Sequence, residues 1–130
     1  MDISTETMQD NVTVLRLKGD LDASTSDAFL AKANQAIRNG AQNILVDLSN
    51  VSFLSSAGIR ALHSLYTQLH PSGTTAEKEA VYKGINAGTY EAPHLKLLKP
   101  NRKVEDVIKL AGLDMYLKSY TDEEDALAAF

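Results

Sequence analysis

A short, almost unbroken apolar run at residues 43–48 (NILVDL) limits most strongly what this chain can fold into. A strand that is apolar at nearly every position is covered on both faces, which is typical of a central parallel strand. A serine-rich turn follows it, and apolar residues then recur at helical spacing from Ile59 to Leu69, which indicates an amphipathic helix. Because parallel strands need crossover connections, this stretch predicts an α/β fold.

The segments on either side repeat the alternation of strand and helix. Residues 11–18 (NVTVLRLK) predict a strand, with residues 3–8 as an antiparallel partner. Apolar residues at helical spacing predict one helix that ends at Gly40 and another that ends at Gly112. Two further short strands are predicted at residues 94–98 and 117–120.

The end of the sequence predicts one more helix. Thr121 and Glu124 have the spacing of a capping box, in which the first side chain caps a helix that follows it. Residues 122–130 should therefore be helical, with Ala126, Leu127 and Phe130 on the buried face.

Length and composition favour a single domain of this type. The chain has 130 residues, 44% of them hydrophobic and 23% charged, which is enough apolar material for one core. We expect a mixed β-sheet covered by about four α-helices, with an elaborated loop at about residues 71–93. The sequence has no cysteine, no apolar run of membrane-spanning length and no secretory signal pattern, so we expect a cytoplasmic protein without disulfides.

The charge pattern argues against a nucleic-acid partner. Thirteen basic and seventeen acidic residues give a formal charge of −4, which opposes a phosphate backbone. We expect the mild basic concentration late in the chain to be a solvated face; it comprises Lys96, Lys99, Arg102, Lys103 and Lys109. The sequence has neither a Walker motif nor a glycine-rich phosphate loop, so we expect no cofactor or metal of its own.

Ser55 and Ser56, at the junction of the central strand and its helix, are the strongest functional candidates. One interpretation is structural, because a serine at this position caps a helix. A hydrolase nucleophile would need Gly-x-Ser-x-Gly, whereas Phe53 and Leu54 precede the pair and no histidine can be placed beside it. The third interpretation is a phosphorylation switch. A helix N-terminus stabilises a phosphate, while the added charge of about −1.5 to −2 opposes docking of a partner.

Asp47, near the end of the apolar run, is similar in position to the phospho-acceptor of a response-regulator receiver. Receivers also place paired acids after the first strand to bind magnesium and a lysine after the last strand. Here Lys118 falls within a predicted strand, and the early acids follow a differently placed strand. We interpret Asp47 instead as a strand-end residue that bonds to the turn at residues 49–52.

Three pieces of the sequence together resemble the STAS domain, the family of anti-sigma factor antagonists and of cytoplasmic domains of sulfate transporters. They are GDLD at residues 19–22, ILVDLSNVSFLSSAG at residues 44–58, and the IRAL helix start that follows. The resemblance covers residues 11–70 and 94–130 but not the segment at 71–93. It implies a small non-enzymatic α/β domain, active in signalling and transcription regulation, that binds an anti-sigma factor with serine kinase activity.

In that family the phosphorylated serine usually follows an aspartate, as in Asp-Ser-Ser-Gly. Carried over by position, the resemblance implies that Ser56 is the acceptor and that Ser55 stands where the aspartate would be, so Ser55 is the alternate acceptor. The partner would supply the kinase activity, with ATP and magnesium. The implied partner-binding residues are Asp22, Ser55, Ser56, Ala57, Gly58 and Arg60, with Gly58 allowing close approach and Arg60 offering a charge.

Two other functions stay open at this point. A STAS subunit of a membrane transporter complex or signalling scaffold would use the serine turn for packing, without phosphorylation, and the absent aspartate favours this alternative. A small hydrolase or phosphotransfer enzyme is the other. Neither the identity of the partner nor the formation of a homodimer follows from the sequence.

Overall fold

A five-stranded mixed β-sheet with the strand order β1-β2-β3-β4-β5 forms the centre of the fold. The computed structural model describes residues 1–8, 11–70 and 90–130. In these residues the elements are β1 (Asp2–Met8), β2 (Val12–Lys18), α1 (Ser26–Arg38), β3 (Asn43–Asn50), α2 (Ser56–Leu69), β4 (Leu95–Leu98), α3 (Arg102–Leu110), a 3-10 turn (Leu113–Met115), β5 (Ser119–Tyr120) and α4 (Glu123–Ala128). The predicted α/β architecture with about four helices is confirmed.

The strand directions also match the prediction. β1 pairs with β2 antiparallel, and β2, β3, β4 and β5 pair in parallel. The apolar run forms β3 at the centre of the sheet, between β2 and β4. The last strand is shorter than predicted, because only Ser119 and Tyr120 pair with β4.

The sheet has two apolar faces of unequal size, since successive strand residues point to opposite sides. On the larger face, Leu15, Val46 and Leu97 are buried under side chains of α1, α2 and α3. On the smaller face, Val14 and Leu45 pack with the short helix α4. β3 is apolar at consecutive positions because it contributes to both clusters.

One local prediction about the end of the chain is corrected. The cap of α4 is Asp122 and not Thr121, because the Asp122 carboxylate accepts hydrogen bonds from the backbone N–H groups of Glu124 at 2.8 Å and Asp125 at 3.3 Å. The capping-box spacing therefore placed the helix start one residue early. The predicted buried face is confirmed for Ala126, while Leu127 and Phe130 are partly buried beside it.

Lys96 is not part of a solvated basic face, because only 1% of the residue is exposed. Its ammonium donates to a Glu91 carboxylate oxygen at 2.7 Å and to the carbonyl of Ala92 at 3.1 Å. The ring of Phe130 lies 5.3 Å from the nitrogen. The other basic residues of this group are exposed as predicted.

Side chains join the end of α2 to the segment that enters β4. Residues 71–89, between these two segments in the sequence, contain most of the predicted loop and lie outside the described residues. The hydroxyls of Tyr66 and Tyr90 are 2.8 Å apart, and Nε2 of His70 accepts from the backbone N–H of His94 at 3.1 Å. Nδ1 of His70 lies 2.9 Å from the Tyr66 carbonyl, so Nδ1 carries the proton and the ring is neutral. Burial lowers the pKa of His70, and the nearby His94 and Lys96 lower it further. The hydrogen bond to the Tyr66 carbonyl raises the pKa, but not enough to cancel these effects.

Acidification from about pH 7.5 to about pH 5.5 should destabilise the domain through His70. The folded state holds the pKa below its ordinary value of about 6.5, so the unfolded chain binds the proton more readily and the free energy of unfolding falls over this range. His70→Gln should reduce this dependence, whereas His63→Gln, at an exposed histidine, should retain it. Urea denaturation at both pH values measures the effect, and an unaltered dependence in His70→Gln would contradict it.

Candidate functional site

The two serines at the start of α2 have different environments. Ser55 is the N-cap residue: it has extended backbone angles, and its hydroxyl oxygen accepts a hydrogen bond from the backbone N–H of Gly58 at 3.3 Å. Ser56 is the first helical residue and is exposed. Among the described residues, the Ser56 hydroxyl has no hydrogen-bond partner. One serine therefore stabilises the helix end, and the other presents a hydroxyl to solvent.

The GDLD segment lies directly against the serine turn. The N–H of Gly19 donates to the carbonyl of Asn50 at 3.1 Å, and the N–H of Leu21 donates to the carbonyl of Phe53 at 3.0 Å. The N–H of Ser55 returns a bond to the carbonyl of Leu21 at 3.0 Å. These bonds extend the parallel pairing of β2 and β3 beyond the sheet and bring together the two sequence motifs.

Asp22 follows Leu21 and therefore lies beside the serine turn. Its carboxylate accepts from the hydroxyl of Ser24 at 2.6 Å and from the N–H of Ser24 at 2.9 Å, while its carbonyl accepts from the N–H of Ser26 at the start of α1. The Ser24 hydroxyl and then the Ser24 amide lower the pKa of Asp22. Asp22 thus organises its own loop and keeps a partly exposed negative charge next to the turn.

Gly58 has a different role from the predicted one. It is buried, and a Cβ atom at this position would lie 2.5 Å from the carbonyl oxygen of Leu21 and 2.6 Å from a methyl carbon of Leu54. The missing side chain therefore allows α2 to approach the Leu21 loop inside the domain. The expectation that Gly58 makes room for a partner is wrong.

The outer surface of the site is formed by α2 and the turn before it. Arg60 is exposed on α2, and Ala57 is partly buried. Sequence reasoning did not select Phe53, which is 53% exposed although it is a large apolar residue. A phenylalanine within a polar turn, outside the helical apolar spacing, was the available signal. Phe53, Ser56 and Arg60 are thus three exposed residues of the turn and the first turns of α2, each with a different chemistry.

Asp47 lies on the smaller face of the sheet, in the strand that leads to the serine turn. One carboxylate oxygen accepts from the N–H of Ser49 at 2.9 Å and from its hydroxyl at 2.7 Å, as predicted for a strand-end aspartate. The other oxygen accepts from Arg16 at 3.0 Å. Burial raises the pKa of Asp47, but the bonds from Ser49 and Arg16 outweigh it, so the pKa lies below its usual value. Arg16 also pairs with Glu6 and Glu123, a network that no local sequence pattern indicated.

The chain belongs to the STAS domain family, whose sequence pattern matches residues 4–76. The structure has the fold of an anti-sigma factor antagonist, and the resemblance noted from the sequence is confirmed. Among the helices of the described residues, none is both long and apolar enough to cross a membrane.

Several solved structures are similar over nearly the whole chain. The anti-sigma factor antagonist SpoIIAA in its unphosphorylated form matches with a TM-score of 0.68 and 27% identity, covering 97% of this chain and 93% of that chain. The Bacillus cell fate determinant SpoIIAA in its phosphorylated form matches with a TM-score of 0.62 and 26% identity, covering 98% and 97%. An anti-sigma factor antagonist from Mycobacterium paratuberculosis shares the fold, with a TM-score of 0.72 and 23% identity over 98% and 93%.

Alanine substitutions should separate the structural serine from the exposed one. Ser55→Ala removes the cap of α2 and should lower the free energy of unfolding by about 1 kcal/mol. Ser56→Ala removes a hydroxyl that holds no bond among the described residues, so stability should change by less than about 0.5 kcal/mol. Urea denaturation of both variants measures the difference. Equal losses in the two variants would mean that the cap is wrongly assigned.

Proposed function

We propose that this domain is a regulatory protein of the anti-sigma factor antagonist type, which binds a partner with serine kinase activity and is switched off by phosphorylation of Ser56. The observation that carries the proposal is the exposed Ser56 hydroxyl on the first helical residue, beside a separate serine that caps the helix. The domain itself has no catalytic role; the partner supplies kinase activity, ATP and magnesium in the cytoplasm.

Ser56 is favoured over Ser55 as the acceptor by its surroundings. The Ser55 hydroxyl is partly buried and accepts from the Gly58 N–H, so phosphorylation there would disturb the helix cap. The Ser56 hydroxyl is exposed and can be approached by another protein. Serine and aspartate are both effective N-cap residues, so Ser55 can serve as the cap where the family usually has aspartate.

A phosphoryl group on Ser56 is compatible with the fold. Gly58 N–H is bonded to the Ser55 side chain and Ile59 N–H to the Ser55 carbonyl. The first backbone N–H groups of α2, those of Ser56 and Ala57, can therefore face an anion, and the helix dipole also favours negative charge there. The similarity to SpoIIAA, which was solved in unphosphorylated and phosphorylated forms, supports the same expectation.

The same phosphoryl group would oppose partner binding in two ways. It adds about −1.5 to −2 charges to the surface that would meet the partner, and each like charge on the partner about 5 Å away would cost roughly 1 to 3 kcal/mol. Arg60 lies one helical turn after Ser56, at a spacing that favours an anion followed by a cation. A phosphate on Ser56 would compete with the partner for this guanidinium.

The second candidate function is a STAS subunit of a transporter or of a signalling scaffold, in which the surface of Phe53, Ala57 and Arg60 binds a neighbour without phosphorylation. Ser55, at the position where the family usually has aspartate, favours this version. The two functions differ in one respect that can be tested. Only the first requires a kinase to modify Ser56.

Ser56 variants should separate folding from binding. Ser56→Ala should stay folded and bind the partner kinase without being switched off. Ser56→Asp should stay folded but bind about tenfold or more weakly, because its charge meets the partner surface. Ser4→Asp adds the same charge at an exposed residue of β1 and should bind as the unmodified domain does. Calorimetric titration with circular dichroism measures both properties; unfolding of Ser56→Asp, or its unreduced affinity, would contradict the proposal.

A further inference from the structure

The pairing of β2 with β3 contains an extra residue in β3, just before the serine turn. Arg16 pairs with Asp47 and Lys18 pairs with Asn50, so Leu48 and Ser49 together oppose Leu17 alone. Such an insertion is a β-bulge, which leaves a residue outside the regular pairing and changes the phase of everything that follows. Farther along, Leu21 pairs with Leu54.

Between the Lys18–Asn50 pair and the Leu21–Leu54 pair the register shifts by one further residue, so the bulge and this second shift together decide which residues of the turn face inward. Leu54, opposite Leu21, is 1% exposed, while its neighbour Phe53 is 53% exposed. Ser55 then lies where its N–H reaches the carbonyl of Leu21. A slip of one residue would exchange the inward and outward sets and would move Ser55 away from its cap position.

The carboxylate of Asp47 holds this bulge. Its oxygen accepts both from the N–H of Ser49, within the irregular part of the pairing, and from the Ser49 hydroxyl. Its second oxygen forms an ion pair with Arg16 on the neighbouring strand, 3.0 Å away, and takes no part in the bonds to Ser49. Asp47 is buried, so water competes little with these bonds.

From this geometry we infer that Asp47 is a positioning residue for Ser56, which acts through the bulge at Ser49 and the pairing of Leu21 with the turn. The inference rests on the proposed function for its consequence, since a correctly placed Ser56 is what the partner kinase would modify. Arg16 stabilises the domain through three acidic partners but acts on the bulge only indirectly. The two residues of the ion pair therefore differ in function.

The test uses four variants that separate the Ser49 bonds from the ion pair. Asp47→Glu keeps the negative charge but extends the side chain by one methylene, and Asp47→Ala removes the carboxylate. Asp47→Asn retains an oxygen that can accept from Ser49. Arg16→Gln removes the ion pair but leaves the bonds from Asp47 to Ser49. If Asp47→Ala fails to fold, Asp47→Glu and Asp47→Asn carry the comparison.

The first measurement is hydrogen exchange of the Ser55 amide by NMR, which needs no partner. Asp47→Glu and Asp47→Ala should exchange about tenfold or more faster than the unmodified domain. Asp47→Asn and Arg16→Gln should remain within about twofold, at a temperature where all are folded. Equal loss of protection in Arg16→Gln and Asp47→Glu, or none in Asp47→Glu, would overturn the inference.

The second measurement is kcat/KM for phosphorylation by a purified anti-sigma factor of the serine kinase type, with ATP and magnesium. Asp47→Glu should reduce it about tenfold or more, because small misplacements of a reacting group have large kinetic costs. In Asp47→Asn, kcat/KM should stay within about twofold of the value for the unmodified domain. The same is expected for Arg16→Gln. Absence of phosphorylation in the unmodified domain would refute the proposed function, while Ser55 exchange would still decide the role of Asp47.

Discussion

Two backbone hydrogen bonds at Leu21 hold the candidate site together. Leu21 donates to the carbonyl of Phe53 and accepts from the N–H of Ser55, so the loop after β2 continues the pairing of the sheet into the turn before α2. Gly58 permits this contact because its backbone passes too close to the Leu21 carbonyl for a side chain. The start of α2 is therefore fixed by the core, and the outer residues of the turn are free to meet another protein.

Within a few residues of this turn, the residues that stabilise the fold differ from those that are exposed to a partner. Leu54, Ser55 and Gly58 point inward or cap the helix, whereas Phe53, Ser56 and Arg60 are exposed. A charge added on the outer side meets the N-terminus of a helix and leaves the buried contacts unchanged. A surface of this kind can change its affinity for a partner without a change of fold, which is the property that a phosphorylation switch requires.

Much of the fold could be predicted from sequence because its signals are local. The run at residues 43–48 predicted a central strand, and the apolar spacing after Ile59 predicted the helix that follows. The features that were missed depend on tertiary contacts. Lys96 belongs to a basic run in the sequence but is buried beside Glu91, and the partners of Arg16 come from three distant segments.

The candidate site was predicted partly for the same reason. The serine turn and the early acidic loop are recognisable motifs, and the parallel pairing of Leu21 with Leu54 brings them together. The spacing gave no indication that Gly58 packs inward, because its contact at Leu21 is made by a segment far away in sequence. The bulge at Ser49 was also not predictable, since a register shift is a property of two strands and not of one.

The most direct test of the proposed switch is to locate the phosphoryl group. The purified domain would be incubated with an anti-sigma factor kinase, ATP and magnesium, and the modified residue identified by tandem mass spectrometry. We predict a single phosphoryl group on Ser56, with the circular dichroism spectrum of the domain unchanged. Modification of Ser55 alone, or of neither serine, would contradict the account.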